Sequence, residues 1–188
     1  MKYVNYAAPI RPIRFRISIV SKIRDSKGLF FVTIEAMKIK ECGICQLLLN
    51  SDPIFRTKYW EIIIAPDQGY LGRCYVTLIE HKADLAELTE EEWLDYVEIV
   101  KKIEEAIRSA FGAIVFNWGC FMNTAFQVSP ATPHVHWHLR PRYDKTISFD
   151  GIDFRDPLFG YHYDTGQSHK VSEGTLSNIR AKIKENLR

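Results

Sequence analysis

Pro133-His134-Val135-His136-Trp137-His138-Leu139-Arg140-Pro141 alternates imidazole and apolar side chains through its whole centre. Successive side chains of a strand point to opposite faces. The stretch is therefore predicted to be a strand with His134, His136 and His138 on one face and Val135, Trp137 and Leu139 on the other. The first face is polar and suits a site; the second belongs to a core. Pro133 and Pro141 are expected to bracket the strand, because proline is tolerated at strand ends. The plainer alternative is an edge strand of surface histidines, or an incidental metal scavenger. Imidazoles stacked on one face are seldom wanted without a ligand, which favours a site. The internal position and the apolar alternation exclude an expression tag.

Working outward, the clearest helix is 89–111. Thr89 and Glu92 form a capping box, and Trp93, Tyr96, Val97, Val100, Ile103, Ile107 and Phe111 recur at helical spacing before Gly112 stops the run. A second helix is predicted over 173–187, with Leu176, Ile179, Ile183 and Leu187 on one stripe. Short apolar runs at Trp60–Ala65, Cys74–Ile79, Ile114–Trp118 and Val135–Leu139 read as strands. Pro66, Gly69 and Gly72 put a turn between the first two, which predicts an antiparallel hairpin. Residues 143–171 lack periodicity but carry Phe149, Phe154, Phe159, Tyr161 and Tyr163, and are expected to be an ordered loop region pinned by aromatics. Antiparallel strands with a long packed helix make an α+β domain.

A chain of 188 residues suits one domain, and a 46% hydrophobic content excludes a disordered chain. The longest apolar stretches, Leu29 to Val32 and Ile62 to Ala65, fall far short of the roughly 18 residues a membrane span requires. The net charge of +2 is unevenly spread: residues 1–36 hold seven basic side chains against Asp25 and Glu35. The rest of the chain is mildly acidic, which argues against a general nucleic-acid-binding surface. The basic leader reads either as a targeting segment or as sequence upstream of a true start at Met37; it lacks the apolar core and small-residue site of a secretory signal. Four cysteines are too few for a disulfide scaffold, so a reducing, cytoplasmic setting is expected.

Aligned imidazoles suit phosphoryl chemistry. A neutral imidazole attacks phosphorus and leaves again readily, which splits one hard step into two. Its neighbours orient it and donate to phosphate oxygens as charge develops. His134-Val135-His136-Trp137-His138-Leu139 followed by Arg140-Pro141-Arg142 resembles the motif of the histidine triad (HIT) family, with Arg140 at a final position that is usually apolar. The resemblance extends back over Cys42-Gly43-Ile44-Cys45, the hairpin ending at Val76–His81, the helix start from Leu85 to Glu92, and Asn123, so it spans 42–143.

That resemblance implies an α+β fold, a two-fold dimer and hydrolysis or transfer of nucleotides at the α-phosphate. It implies His136 as the nucleophile, His138 as a hydrogen-bonding partner of the phosphate or leaving group, and Asn123 as a phosphate ligand. Two positions depart from the pattern. Arg73 stands where many members carry a strand histidine, and Pro130-Ala131-Thr132 stands where many have Gln-Ser or Gln-Thr, leaving Thr132 or Gln127 as substitutes. The expected plan is a basic extension over 1–36, a HIT-like domain over 37–143, and an aromatic loop region with a C-terminal helix over 144–188 packing on the same domain.

Cys42 and Cys45 fit one half of a tetrahedral zinc site whose other ligands come from elsewhere. The redox alternative requires a thioredoxin-like strand–helix setting, which Leu47–Leu49 does not convincingly provide. By resemblance, the remaining ligands are His81, at the end of the hairpin strand, and His134, the first histidine of the triad. Such a closed site would be structural. Three readings of function stand: a nucleotide hydrolase, a nucleotide-binding module with little turnover, and a nucleotidylyltransferase that passes its nucleotide to an acceptor.

Overall fold

A computed structural model of the chain describes residues 20–25, 28–33 and 40–188. It divides into two units, 1–38 and 39–188. Within the first, β1 (Val20–Asp25) and β2 (Gly28–Thr33) pair as an antiparallel hairpin. The expectation that residues 1–36 are a targeting segment or precede a start at Met37 falls largely outside the described residues.

The second unit is built on an antiparallel five-stranded sheet. Its chain order begins with α1 (Gly43–Leu49), β3 (Phe55–Arg56), β4 (Trp60–Ile64) and β5 (Cys74–Leu78). Next come α2 (Glu90–Phe111), β6 (Val115–Cys120) and β7 (His136–Arg142). A separate hairpin, β8 (Ile147–Phe149) with β9 (Ile152–Phe154), precedes α3 (Glu173–Glu185). The sheet order is β3-β4-β5-β7-β6, so the histidine-bearing strand lies inside the sheet and β3 and β6 are its edges. The fold is the α+β architecture that the sequence implies.

The β4–β5 hairpin has the expected pairing, with Trp60 opposite Leu78 and Ile64 opposite Cys74. Buried Gln68 holds its turn: the side-chain amide donates to Ala65 O at 2.6 Å and accepts from Gly72 N at 2.8 Å. The capping box of α2 is complete. Thr89 N donates to Glu92 at 2.7 Å, and Glu92 N donates to the Thr89 hydroxyl at 3.3 Å. Glu92 is itself buried and also takes Lys82 Nζ at 2.6 Å, while its carbonyl accepts Trp60 Nε1 at 2.9 Å. These bonds fix the start of α2 to the end of the hairpin, next to His81. Gly112, in the left-handed region at φ 76°, ends the helix.

The buried stripe of α2 is Ile99, Ile103, Ala106, Ile107 and Phe111, whereas Trp93 and Val97, expected on it, lie exposed on its flank. The helix thus turns less of its N-terminal half toward the sheet than its apolar periodicity suggests. α3 buries Leu176, Ile179 and Ile183 into the same core, and each fully buried aliphatic side chain contributes about 1.5–3 kcal/mol.

Two other expectations are corrected. The histidine strand does not stop before Pro141 but pairs with β6 through Arg142. Proline is accommodated because β5 pairs with β7 only as far as Leu139, so no strand faces Pro141 on that side. Residues 143–171 are not all loop: Asp150 and Gly151, both with positive φ, turn the β8–β9 hairpin. Phe149 packs edge-on against Phe111, and buried Phe154 joins the core.

Candidate functional site

The pleat of β7 sorts its side chains as the alternation requires. Val135 and Leu139 enter the core, and Trp137 stacks on Tyr96 of α2 at 4.9 Å. His136 and His138 turn to the opposite face with their rings 4.9 Å apart, and Tyr75, across the pair on β5, sets its ring edge-on to both. Phe121 tilts against His138 at 5.8 Å. That approach requires Gly119, which pairs with His138, because a Cβ there would sit 2.3 Å from the Phe121 ring.

His136 Nδ1 donates to the main-chain oxygen of His134 at 2.7 Å. This bond fixes the tautomer and leaves Nε2 with its lone pair. Burial holds His136 below the ordinary imidazole range, so the ring is neutral near pH 7. His138 is different: neither ring nitrogen has a partner among the described residues. Burial first, then His136, Arg140 and Arg73, push it down to about 3, and the nearby Phe121 backbone only partly opposes the shift. A cleft of about 270 Å³ opens beside His136 and is lined also by Thr132, His134, Met122, Thr124 and Gly43.

Thr132 therefore meets His134 and His136 in one cleft. Asn123 and Gln127 begin and end a 3₁₀ turn, Asn123–Gln127, and are exposed; neighbouring residues of the same turn, not these two, line the cleft. Arg140 and Arg142 continue the histidine face. Arg142 is buried on Asp156 at 2.6 and 3.0 Å, and Arg140 lies under Tyr163 at 4.5 Å. Their place was readable from the same alternation that aligns the histidines. Tyr75 and Tyr163 carried no comparable signal, since their positions depend on strand pairing and on the path of the tail.

Cys42, Cys45, His81 and His134 converge from three distant segments, with their ligand atoms all within 4.8 Å of one another, and could hold a metal ion. Cys42 Sγ lies 3.5 Å from His134 Nδ1, and Cys45 Sγ lies 3.3 Å from His134 Nδ1 and 3.4 Å from His81 Nδ1. The two imidazole nitrogens are 3.2 Å apart. His134 Nε2 donates to Leu78 O at 2.7 Å, so Nδ1 is the nitrogen that presents a lone pair to the cluster. Cys42 is the N-cap of α1 and accepts the Cys45 N–H at 3.4 Å, and burial together with Cys42 pushes the Cys45 thiol up to about 12 in the absence of an ion. The short helix that the first cysteine caps and that contains the second was not read from the sequence; seven residues give too little periodicity. Burial holds His134 down at about 4, which keeps it neutral as a ligand must be.

Comparison with known proteins places the fold. A hypothetical histidine triad nucleotide-binding protein from Sulfolobus tokodaii strain 7 is similar at a TM-score of 0.58 and 16% identity, over 77% of this chain and 91% of that one. A zinc-bound histidine triad family protein from Mycobacterium smegmatis is similar at 0.50 and 19% identity, over 78% and 96%. A uridylyltransferase mutant matches at 0.55 and 17% identity, over 80% of this chain and 48% of that one. Comparison with curated protein sequences finds no significant match. At these identities the structures establish a shared fold. The family model described as the HIT domain matches residues 48–145, more than half of the sequence, and the chain belongs to that family.

Proposed function

We propose that this chain is a nucleotide hydrolase or nucleotidyl transferase acting at the α-phosphate of a nucleotide conjugate, of phosphoramidate or dinucleoside polyphosphate type, through a covalent nucleotidyl-His136 intermediate. The observation that carries this reading is the tautomer of His136. With Nδ1 committed to His134 O, Nε2 of a neutral, buried imidazole keeps its lone pair; His136 lines the cleft, and the His138 ring lies 4.9 Å from its ring. Nε2 attacks the α-phosphorus, a P–N bond forms, and the bond to the leaving group breaks with its electron pair going to that group. Water, or an acceptor in a transfer, then attacks phosphorus. The P–N bond breaks, its pair returns to His136, and the proton of the attacking group passes to solvent.

His138 donates a hydrogen bond to a phosphoryl oxygen or to the leaving group, and the Thr132 hydroxyl supports the phosphate from the cleft wall. Asn123 and Gln127 act from the turn that borders the cleft. The strand histidine that Arg73 replaces is not needed to orient His136, because the main-chain carbonyl already does so. This favours turnover over a binding module.

The ion that suits the second cluster is zinc. Zn–S bonds of about 2.3 Å and Zn–N bonds of about 2.0–2.1 Å give tetrahedral S···N edges of about 3.6 Å and an N···N edge of about 3.3 Å. The distances of 3.5, 3.4, 3.3 and 3.2 Å fit with small adjustments. Cys42, Cys45, His81 and His134 would hold it, and with four protein ligands it would supply stability and no reaction step. The working unit is a homodimer. Among the described residues no helix is long and apolar enough to cross a membrane. The four free cysteines suit a reducing compartment such as the cytoplasm.

The test is release of a nucleoside monophosphate from a panel of nucleoside phosphoramidates and dinucleoside polyphosphates. His136→Ala is expected to lower turnover on the order of 10³-fold or more. Full activity in that variant excludes the mechanism.

A further inference from the structure

Beyond His138, the triad face carries two arginines, Arg140 with no carboxylate partner among the described residues and Arg73 with only a long contact to Asp67. Arg140 is 93% buried by the 7% exposure of its residue, its Nη1 has no hydrogen-bond partner among the described residues, and it joins none of their ion pairs. Its guanidinium lies under the Tyr163 ring at 4.5 Å. Arg73 reaches in from the start of β5 over Tyr75 at 5.9 Å, with Nε buried and unpartnered. Its Nη1 approaches Asp67 only to 3.9 Å. That carboxylate is already committed to Ser168 and to the main-chain N–H groups of Gly69 at 2.9 Å and His169 at 3.1 Å. Burial and Arg73 hold the Arg140 guanidinium below its ordinary range. Two cations gathered beside His138, with both imidazole nitrogens and Thr77 Oγ1 also unpartnered, are costly unless an anion joins them.

We propose that Arg73 and Arg140 form a leaving-group subsite for an oxyanion, so that this chain acts on nucleotides whose leaving group is itself a phosphate rather than an amine. The proposal rests on the nucleophilic role given to His136 above. Arginine presents only donors, and its fork matches phosphate oxygens. Arg140 is two residues, about 7 Å of strand, beyond His138 and four, about 13 Å, beyond His136, so the arginines flank His138 on the side of His136 away from Thr132, where the far end of a leaving group would lie. When Nε2 of His136 bonds to phosphorus, the bridging P–O bond breaks and its pair stays on the departing phosphate oxygen. That group leaves as an anion and takes up no proton. An amine leaving group would have to acquire a proton before it departs, and a neutral His138 is poorly suited to give one. Guanidinium charge stabilises the first reaction and does nothing for the second.

The test uses the full chain and two substrates sharing the same adenylyl group, diadenosine triphosphate and adenosine 5′-phosphoramidate. Arg73→Gln and Arg140→Gln are expected to lower kcat/KM for the triphosphate about 10- to 100-fold and for the phosphoramidate less than about 3-fold, with Arg73→Lys restoring part of the loss. Equal losses on both substrates, or none, overturn the subsite. Should the wild type turn over neither, the reading of His136 fails on its own, and the subsite is judged by calorimetry with inorganic pyrophosphate. Tight binding by the wild type weakened about 10-fold by Arg73→Gln supports the subsite, and equal affinities overturn it.

Discussion

The imidazole of His136 donates to the main-chain oxygen of His134, 2.7 Å away, and the side chain of His134 belongs to the four-residue cluster that could hold a metal ion. One residue thus serves two purposes through different atoms: its ring faces the cysteines while its carbonyl sets the tautomer of His136, the proposed nucleophile. Position in the cluster and readiness for chemistry are linked by a single residue's backbone.

Metal removal tests this link. Chelation, or Cys42→Ser, frees the ring of His134 and the segment that carries its carbonyl. Loss of about 3 kcal/mol would lower Tm by about 6–12 °C in a chain of this size. Activity should decline in step with the thermal shift, and restored zinc should recover both. Elemental analysis finding no zinc in protein purified without chelator, with Tm unchanged by chelation, would remove the metal from the account.

Glu92 predicts the cost of undoing the helix start. Its carboxylate caps Thr89 N and binds Lys82 Nζ while the residue is only 2% exposed. Glu92→Ala leaves Lys82 without its buried partner, a change that costs about 3–5 kcal/mol in comparable pairs. Urea denaturation measures the loss. A change below about 1 kcal/mol would mean that the pair behaves like an exposed one.

What was legible in the sequence follows from period and spacing. A two-residue period aligned His134, His136 and His138, and a complete capping box located α2, because both signals are local. The β8–β9 hairpin escaped because its strands are three residues long, although Asp150-Gly151 between two apolar-polar-apolar triplets is a recognisable turn. The convergence of Cys42 and Cys45 with His81 came from family likeness, since ligands separated by 36 residues share no local pattern. The unpaired charge of Arg140 was invisible for a different reason: it depends on Arg73 from a neighbouring strand and on Tyr163 from the returning tail.

His138 gives a pH prediction with a definite sign. In the unfolded chain it titrates near about 6.5, while in the fold it is held down at about 3. Between these values the unfolded state binds more protons, so this group removes stability as pH falls below about 6.5. Urea unfolding of the wild type at pH 7 and pH 5 should show a larger loss than the same pair of measurements on His138→Gln. Equal losses would mean that the imidazole titrates alike in both states.

Assembly is the remaining prediction. β6 is an edge of the sheet with Val115 46% exposed, and α2 leaves Leu94 61% and Val97 47% exposed beside Trp93. An edge strand offers unpaired main-chain groups, and a two-fold pairing of such an edge with its own copy satisfies both edges at once. The same pairing would cover apolar side chains that the chain's own sheet leaves open. Light scattering at micromolar concentration should therefore give twice the 21.9 kDa mass of one chain. Val97→Glu should shift the mass toward a single chain, and a wild-type protein already at 21.9 kDa would dismiss the dimer.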